Sequence, residues 1–281
     1  MVLAHLSDLH LRDARDAIAL ERQLDRVAAL APEHLAITGD ILDRWNGPLL
    51  ERVIAIFADR DLLEPQRLTL IHGNHDLASS GGHPRSRRDL WRLALRFWDP
   101  PPLLINRRRR FYQAFARRSP ALGNAPPFLK QLSGARIAAL DTVTAPWTPI
   151  RPGRRTVSLL HGLGRVRQVD AHWLANQTGA DPLVVLVHHY PLPVAPLAYG
   201  RRVRVRMDVP EEDRARFWNA AEQAGVRLVL CGHVHRARLE YHRGIAVGLN
   251  GQSGADWAGR TAALYKVQDG TVAVEMVSGS G

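Results

Sequence analysis

The chain opens Val2-Leu3-Ala4-His5-Leu6-Ser7-Asp8-Leu9-His10, an apolar, strand-like run that ends in a carboxylate and an imidazole two residues apart. The same construction returns four times. Leu35 to Ile37 leads to Gly39-Asp40, Leu68 to Ile71 to Gly73-Asn74-His75-Asp76, Leu183 to Val187 to His188-His189, and Val226 to Leu230 to Gly232-His233-Val234-His235. In an open α/β sheet, residues just past the carboxyl ends of strands converge on one crevice, so clusters remote in sequence meet at one place. Oxygen and imidazole donors without thiolate suit divalent Mn²⁺, Fe²⁺ or Zn²⁺ rather than a structural cysteine zinc site.

Each cluster alone has a plainer reading. Asp8 can cap a following turn, Gly39-Asp40 is an ordinary strand-to-turn sequence, and Gly73-Asn74 marks a tight turn. His188-His189 can be core or surface histidines. Gly232-His233-Val234-His235 reads as an extended segment with both imidazoles on one side, because residues two apart share a face. Jointly, each after a strand, the clusters read as the ligands of a two-metal hydrolytic site. Two metals about 3.5–4 Å apart clamp the attacking and leaving oxygens of a displacement at phosphorus. A carboxylate is the natural bridge, and water bound between the metals becomes hydroxide near neutral pH. Neutral histidine ligands leave the cluster net positive, which attracts an anionic phosphoester.

The order D-x-H, G-D, G-N-H-D, H-H, G-H-x-H resembles that of the calcineurin-like metallophosphoesterase family, from Asp8 to His235 with every motif intact. The resemblance implies that Asp8, His10, Asp40 and His235 hold one metal, and that Asp40, Asn74, His188 and His233 hold the other, with Asp40 bridging. It implies a catalytic role for His75, off the metals, as proton donor or charge stabiliser at the substrate. The implied cofactors are two divalent metal ions, Mn²⁺ or iron, with Zn²⁺ compatible. His189 reads as support for its neighbour, and Asp43 and Arg44 as groups that orient Asp40, touch substrate or pair with each other. Asp141 is read as a turn or supporting position, and Cys231 as a small buried hydrophobe. His5, His34, His72, His83, His161, His172 and His242 fall outside the pattern and read as structural or exposed.

At 281 residues the chain suits one large α/β domain, residues 1–281, with room for an insert. It has no run of eighteen apolar residues and no basic leader, and its single cysteine, Cys231, excludes an internal disulfide. The expectation is a cytoplasmic protein. The net charge is +11, nearly all of it from arginine, since Lys130 and Lys266 are the only lysines. Arginine favours phosphate contacts, so a nucleic-acid partner is compatible though not favoured. A GC-rich genome would produce the same bias.

Ala17 to Leu30 and Pro48 to Arg60 have helical spacing. The stretch 79–134 differs: Trp91, Phe97 and Trp98 precede Pro100-Pro101-Pro102, and Arg107 to Arg110 lead into Phe111, Tyr112 and Phe115. It reads as two helical pieces joined at the prolines, a helical cap insert. Such a cap admits contact with a membrane surface or single-stranded nucleic acid. The favoured reading is that its aromatics pack onto the body and its arginines form a solvated face. Beyond it, Arg136 to Leu140, Leu183 to Val187 and Val226 to Leu230 read as strands, with helices at Arg165 to Asn176 and Glu211 to Ala224. From Ala237 onward the chain reads as a Gly-rich, β-rich tail, with strands at Ile245 to Leu249, Thr261 to Val267 and Thr271 to Val277. The patterning gives α/β; the resemblance implies a two-sheet sandwich flanked by helices.

For substrate, protein phosphatases of the family usually read G-D-x-x-D-R-G, and Trp45 stands here in place of the last glycine. Lipid pyrophosphohydrolases of the UDP-diacylglucosamine type commonly carry arginine where His75 stands. The chain is most similar to bacterial cyclic-nucleotide and glycerophosphodiester phosphodiesterases. It shares with them His5 to His10, Leu140-Asp141-Thr142 and Cys231-Gly232-His233-Val234-His235-Arg236. Tyr190, between the histidine pair and Pro191, departs from many of these relatives. The expected activity is metal-dependent hydrolysis of a small phosphodiester such as a cyclic nucleotide. A DNA nuclease, a lipid pyrophosphohydrolase and a non-catalytic scaffold are the alternatives.

Overall fold

The computed structural model describes residues 1–79, 99, 101–143, 156–158, 162–195, 197–199, 203–250, 261–268 and 271–278. Two mixed sheets lie face to face. The first has the order β14-β13-β1-β2-β3, where β1 is Val2–Leu6, β2 His34–Ile37, β3 Leu68–Leu70, β13 Thr261–Gln268 and β14 Thr271–Ser278. The second runs β11-β12-β10-β7-β5-β4, where β4 is Phe128–Leu132, β5 Ala135–Ala139, β7 Leu183–Leu186, β10 Val226–Cys231, β11 Arg238–His242 and β12 Ile245–Leu249. A small three-stranded sheet joins β6 (Thr156–Ser158), β9 (Val203–Arg206) and β8 (Leu197–Tyr199).

The strands alternate, apart from an irregularity between Val226 and Leu228 in β10, and that alternation builds the layers. Leu3, Ala36, Ile137, Ala139, Val184, Leu186, Leu228 and Leu230 meet between the two sheets. Their neighbours point outward. Ala4, Leu6, Leu35 and Ile37 pack against helices α1 (Ala14–Ala29), α2 (Gly47–Ala58) and α3 (Pro101–Ala116). Ala138, Val185, Val229 and Val247 pack against α4 (Gln168–Ala175) and α5 (Glu211–Gln223). Sheets buried on both faces need continuous apolar strands, as these sequences supply. Helix starts are marked as expected: Asp13 accepts from the amides of Arg15 and Asp16, and Asn46 from that of Leu49.

β1, β2 and β3 are mutually parallel, as are β5, β7, β10 and β12. Their carboxyl ends deliver every expected cluster to one end of the sandwich.

Of the stretch 79–134, residues 80–98 and 100 lie outside the described residues, among them Trp91, Phe97, Trp98 and Pro100; His83 and His161 also fall outside. The remainder is built into the sandwich. Helix α3 starts at Pro101, and its Phe111, Tyr112 and Phe115 are buried in the first sheet's outer core, with the Phe115 ring stacked 6.5 Å from that of Phe57. β4 closes the edge of the second sheet, antiparallel to β5. The reading of Arg107 to Arg110 as a solvated face needs correction at two positions. Arg107 donates to the Leu77 carbonyl at 2.7 Å, and Arg108 to that of Pro126 at 2.8 Å, with its Nε 3.0 Å from Asp141. A helix turns successive residues through about 100°, so a four-residue run cannot share one face. Among the described residues no helix is long and apolar enough to cross a membrane.

Candidate metal centre

Beyond their strands β1 and β2 continue side by side as loops. The Asp8 amide donates to Gly39 O at 3.1 Å, that of His10 to Asp40 O at 2.9 Å and that of Leu11 to Ile41 O at 3.0 Å. The backbone is left-handed at Asp8 (φ 54°), His10 (45°), Asp40 (52°), His233 (73°) and His235 (51°). Asp and His tolerate that region better than most residues, and such conformations cluster at functional sites. His233 and His235 therefore reach the site from a left-handed turn, not from the extended segment that their spacing suggested. Close approach also explains a glycine. A Cβ at Gly73 would lie 2.1 Å from Asp40 Oδ1, so only glycine fits.

The donors converge as two adjoining groups, Asp8/His10/His235 and Asp40/His188/His233, each with its ligand atoms within 4.8 Å of one another. In the first, His235 Nε2 is 3.3 Å from Asp8 Oδ1 and 3.1 Å from His10 Nε2. In the second, His188 Nε2 is 3.4 Å from Asp40 Oδ2. Asn74 Oδ1 stands 2.9 Å from His188 Nε2 and 3.0 Å from His233 Nδ1. Asp40 faces both groups, because its Oδ2 is also 3.7 Å from His10 Nε2.

The chemistry of these donors fits divalent cations. His188 Nδ1 donates to Thr38 O at 2.8 Å and His233 Nε2 to Gly162 O at 3.0 Å. Carbonyls only accept, so in the neutral rings His188 Nε2 and His233 Nδ1 are lone pairs. Both then point at the Asn74 amide oxygen, an arrangement that a cation among them would relieve. Fixing the remote ring nitrogen in this way is how proteins orient metal-binding histidines.

Electrostatics of the bare site agree. Burial pulls the His188 imidazolium down, but Asp40 and Asp8 outweigh it and lift its pKa to about 9. Burial likewise opposes ionisation of Asp40, yet His188, His75 and His10 hold its carboxyl well below the usual range. His233 is pushed down to about 3 by burial, then by His188. A metal entering the second group therefore displaces the His188 proton.

His75 is half-buried at the edge of the two groups. Its amide donates to Asp40 Oδ1 at 2.8 Å, its Nδ1 donates to Asp43 O at 2.8 Å, and its ring meets that of His10 edge-on at 4.6 Å. Burial holds its pKa below the ordinary histidine value, with Asp40 opposing. His75 also falls within ligand spacing of His10 and Asp40. His189 supports its neighbours: its Nδ1 is 2.9 Å from Thr142 Oγ1 and its ring lies 4.3 Å from that of His233.

Asp76 has a role that its motif did not announce. Its carboxylate accepts from the amides of Leu42 and Gly73, each at 2.8 Å, bracing the Asp40 loop against the Asn74 loop. Asp43 turns to the ring of His10, with Oδ1 3.5 Å from Nδ1. Asp141 faces His72 Nε2 at 3.4 Å and Arg108, and His72 Nδ1 meets the Tyr112 hydroxyl at 2.8 Å; this buried network ties α3 to β5. The carbonyls of Thr38 and Gly162 carry no signal in side-chain chemistry. Cys231 is buried, as expected.

The fold is shared with a dimetal phosphatase from Danio rerio (TM-score 0.59, 13% identity, covering 100% of this chain and 99% of that one). It is shared also with GAP50, the anchor in the inner membrane complex of Plasmodium (TM-score 0.51, 12% identity, covering 99% and 84%). At these identities the likeness is one of fold. No curated protein matches the sequence. The model of the calcineurin-like phosphoesterase family matches residues 1–237, which takes in every cluster from Asp8 to His235. On that match, and with the donors of those clusters gathered into two adjoining groups, the chain belongs to the calcineurin-like phosphoesterase family.

Proposed function

We propose that the protein is a dinuclear-metal-dependent phosphodiester hydrolase acting on a small phosphodiester, with a cyclic nucleotide the leading candidate. Asp8, His10, Asp40 and His235 hold one divalent ion; Asp40, Asn74, His188 and His233 hold the other; Mn²⁺ or iron suits the donors. The observation that carries this reading is the place of Asp40, whose Oδ2 faces His188 Nε2 at 3.4 Å and His10 Nε2 at 3.7 Å. When bound, the two ions supply Lewis acidity and an activated water for attack at phosphorus.

The chain's own residues supply the rest. His75 keeps Nδ1–H on the Asp43 carbonyl, so Nε2 is the atom that exchanges a proton with the leaving oxygen. A bound phosphoester anion favours the imidazolium form that donates, against the burial that disfavours it. A cavity of about 370 Å³ beside His233 and His235 has room for an organic group of a small substrate.

The test is hydrolysis of bis(p-nitrophenyl) phosphate against p-nitrophenyl phosphate by metal-stripped protein, with and without Mn²⁺. Metal-dependent preference for the diester is expected. Preference for the monoester would reassign the protein as a phosphatase.

A further inference from the structure

The cavity beside His233 and His235 contains two guanidinium groups that differ in one respect. Arg238 is already neutralised: it pairs with Glu240, donates to the Tyr190 hydroxyl at 2.7 Å, and lies over the Tyr190 ring at 5.1 Å. The Tyr190 hydroxyl itself donates to Glu240. Tyr190, the residue that interrupts the histidine–proline sequence, thus fixes Arg238 as wall. Arg236 is different. It lines the same cavity, is exposed, and has no carboxylate partner among the described residues.

We infer that Arg236 recognises a second phosphate, carried on the organic arm of the substrate that enters this cavity. The inference rests on the phosphodiesterase reading and narrows it: the substrate class becomes a small phosphodiester with a further phosphate group, which a simple cyclic mononucleotide lacks. Pro193, Val194, Met207 and Val234 give the cavity an apolar lining for a ring or short chain. Its volume of about 370 Å³ suits one group of nucleoside size. Arg236 lines the cavity together with His233 and His235, so one small molecule in it can reach both the guanidinium and the donor groups. A guanidinium is always charged and binds phosphate through two parallel N–H bonds. With Arg238 paired to Glu240, Arg236 is the cavity's uncancelled guanidinium among the described residues.

The experiment compares thymidine 3′,5′-bisphosphate with thymidine 5′-monophosphate by titration calorimetry, on Mn²⁺-loaded wild type and Arg236→Ala. Wild type binds the bisphosphate about tenfold tighter, as expected for one charge-assisted bidentate contact, and R236A reduces the ratio to about one. Arg236→Lys keeps part of the preference, since it retains charge without the fork. Equal affinities in wild type, no binding of either nucleotide, or a preference that survives in R236A would overturn the inference. Calorimetry needs no turnover. An Arg236-dependent preference without diester hydrolysis upholds the inference while the activity reading falls; hydrolysis without the preference sinks the inference alone.

Discussion

The backbone amide of His233 donates to both carboxylate oxygens of Asp8, at 3.0 Å each, across 225 residues of sequence. Asp8 follows β1 in the first sheet and His233 follows β10 in the second, so this contact sews the sheets together at the candidate metal centre. Neither sheet holds the site alone. With the proposed ligands drawn from both, metal affinity would be part of the sandwich's stability. An ion that binds only the folded state adds about 2.7 kcal/mol at a hundred times its Kd. Chelation is therefore expected to lower the midpoint of thermal unfolding, read by circular dichroism with and without Mn²⁺; an unchanged midpoint would contradict a seam held by metal.

Asp40→Ala removes a carboxylate whose Oδ2 faces both groups, at 3.4 Å from His188 Nε2 and 3.7 Å from His10 Nε2. Both metals are expected to be lost and hydrolysis with them. Elemental analysis of the purified variant checks this, and a full dinuclear complement would sink the bridging assignment.

His75→Ala removes a group held by Asp43 and placed at the edge of the centre. Turnover should fall by roughly 10²–10⁴-fold, the range of general acid–base catalysis, while both metals stay bound. Metal loss in this variant would make His75 a ligand, a role that its spacing to His10 and Asp40 permits.

Gly73→Ala places a methyl where Asp40 Oδ1 now lies, 2.1 Å from the new Cβ. Turning the carboxylate away does not clear the Asp40 backbone nitrogen, 2.4 Å from the same Cβ, so the Asp40 and Asn74 loops must part and weaker metal binding is expected. Calorimetric titration with Mn²⁺ reads the change, and wild-type affinity would contradict it.

His34 lies away from the metal centre and is neutral in the fold. Its Nδ1 donates to Gln66 O at 2.7 Å and its Nε2 accepts from Thr69 Oγ1 at 2.9 Å. Burial pushes its pKa from 6.5 down to about 4. The unfolded chain then binds the extra proton first. The stability that this histidine contributes is complete above pH 6.5 and is lost as pH falls toward 4, on the order of 3 kcal/mol at 1.36 per unit. His34→Gln should flatten the fall in denaturant midpoint between pH 7 and pH 4.5, measured on metal-stripped protein. An identical slope in both proteins would refute the account.

The strands that carry the centre were legible because each is a short apolar run ending in a polar cluster. Val2–Leu6 and Ile245–Leu249 begin and end where the sequence puts them. What escaped has a physical reason in each case. β11, Arg238–His242, falls in the stretch read as β-rich, but at the sheet edge with partly exposed polar side chains it has no apolar run to mark its bounds. β4 alternates in burial as an edge strand does, and it sat inside a stretch read as helical insert. The partners of His188 and His233 are main-chain carbonyls, which no side-chain pattern encodes. Arg107 and Arg108 read as surface charge until the helix turned them toward the loop carbonyls of Leu77 and Pro126.

The most direct test of the central claim is the number of metal equivalents that restores activity. Metal-stripped protein is titrated with Mn²⁺ while hydrolysis of bis(p-nitrophenyl) phosphate is followed. The account predicts that activity saturates at two equivalents per chain. Full activity at one equivalent, or activity without metal, would contradict it.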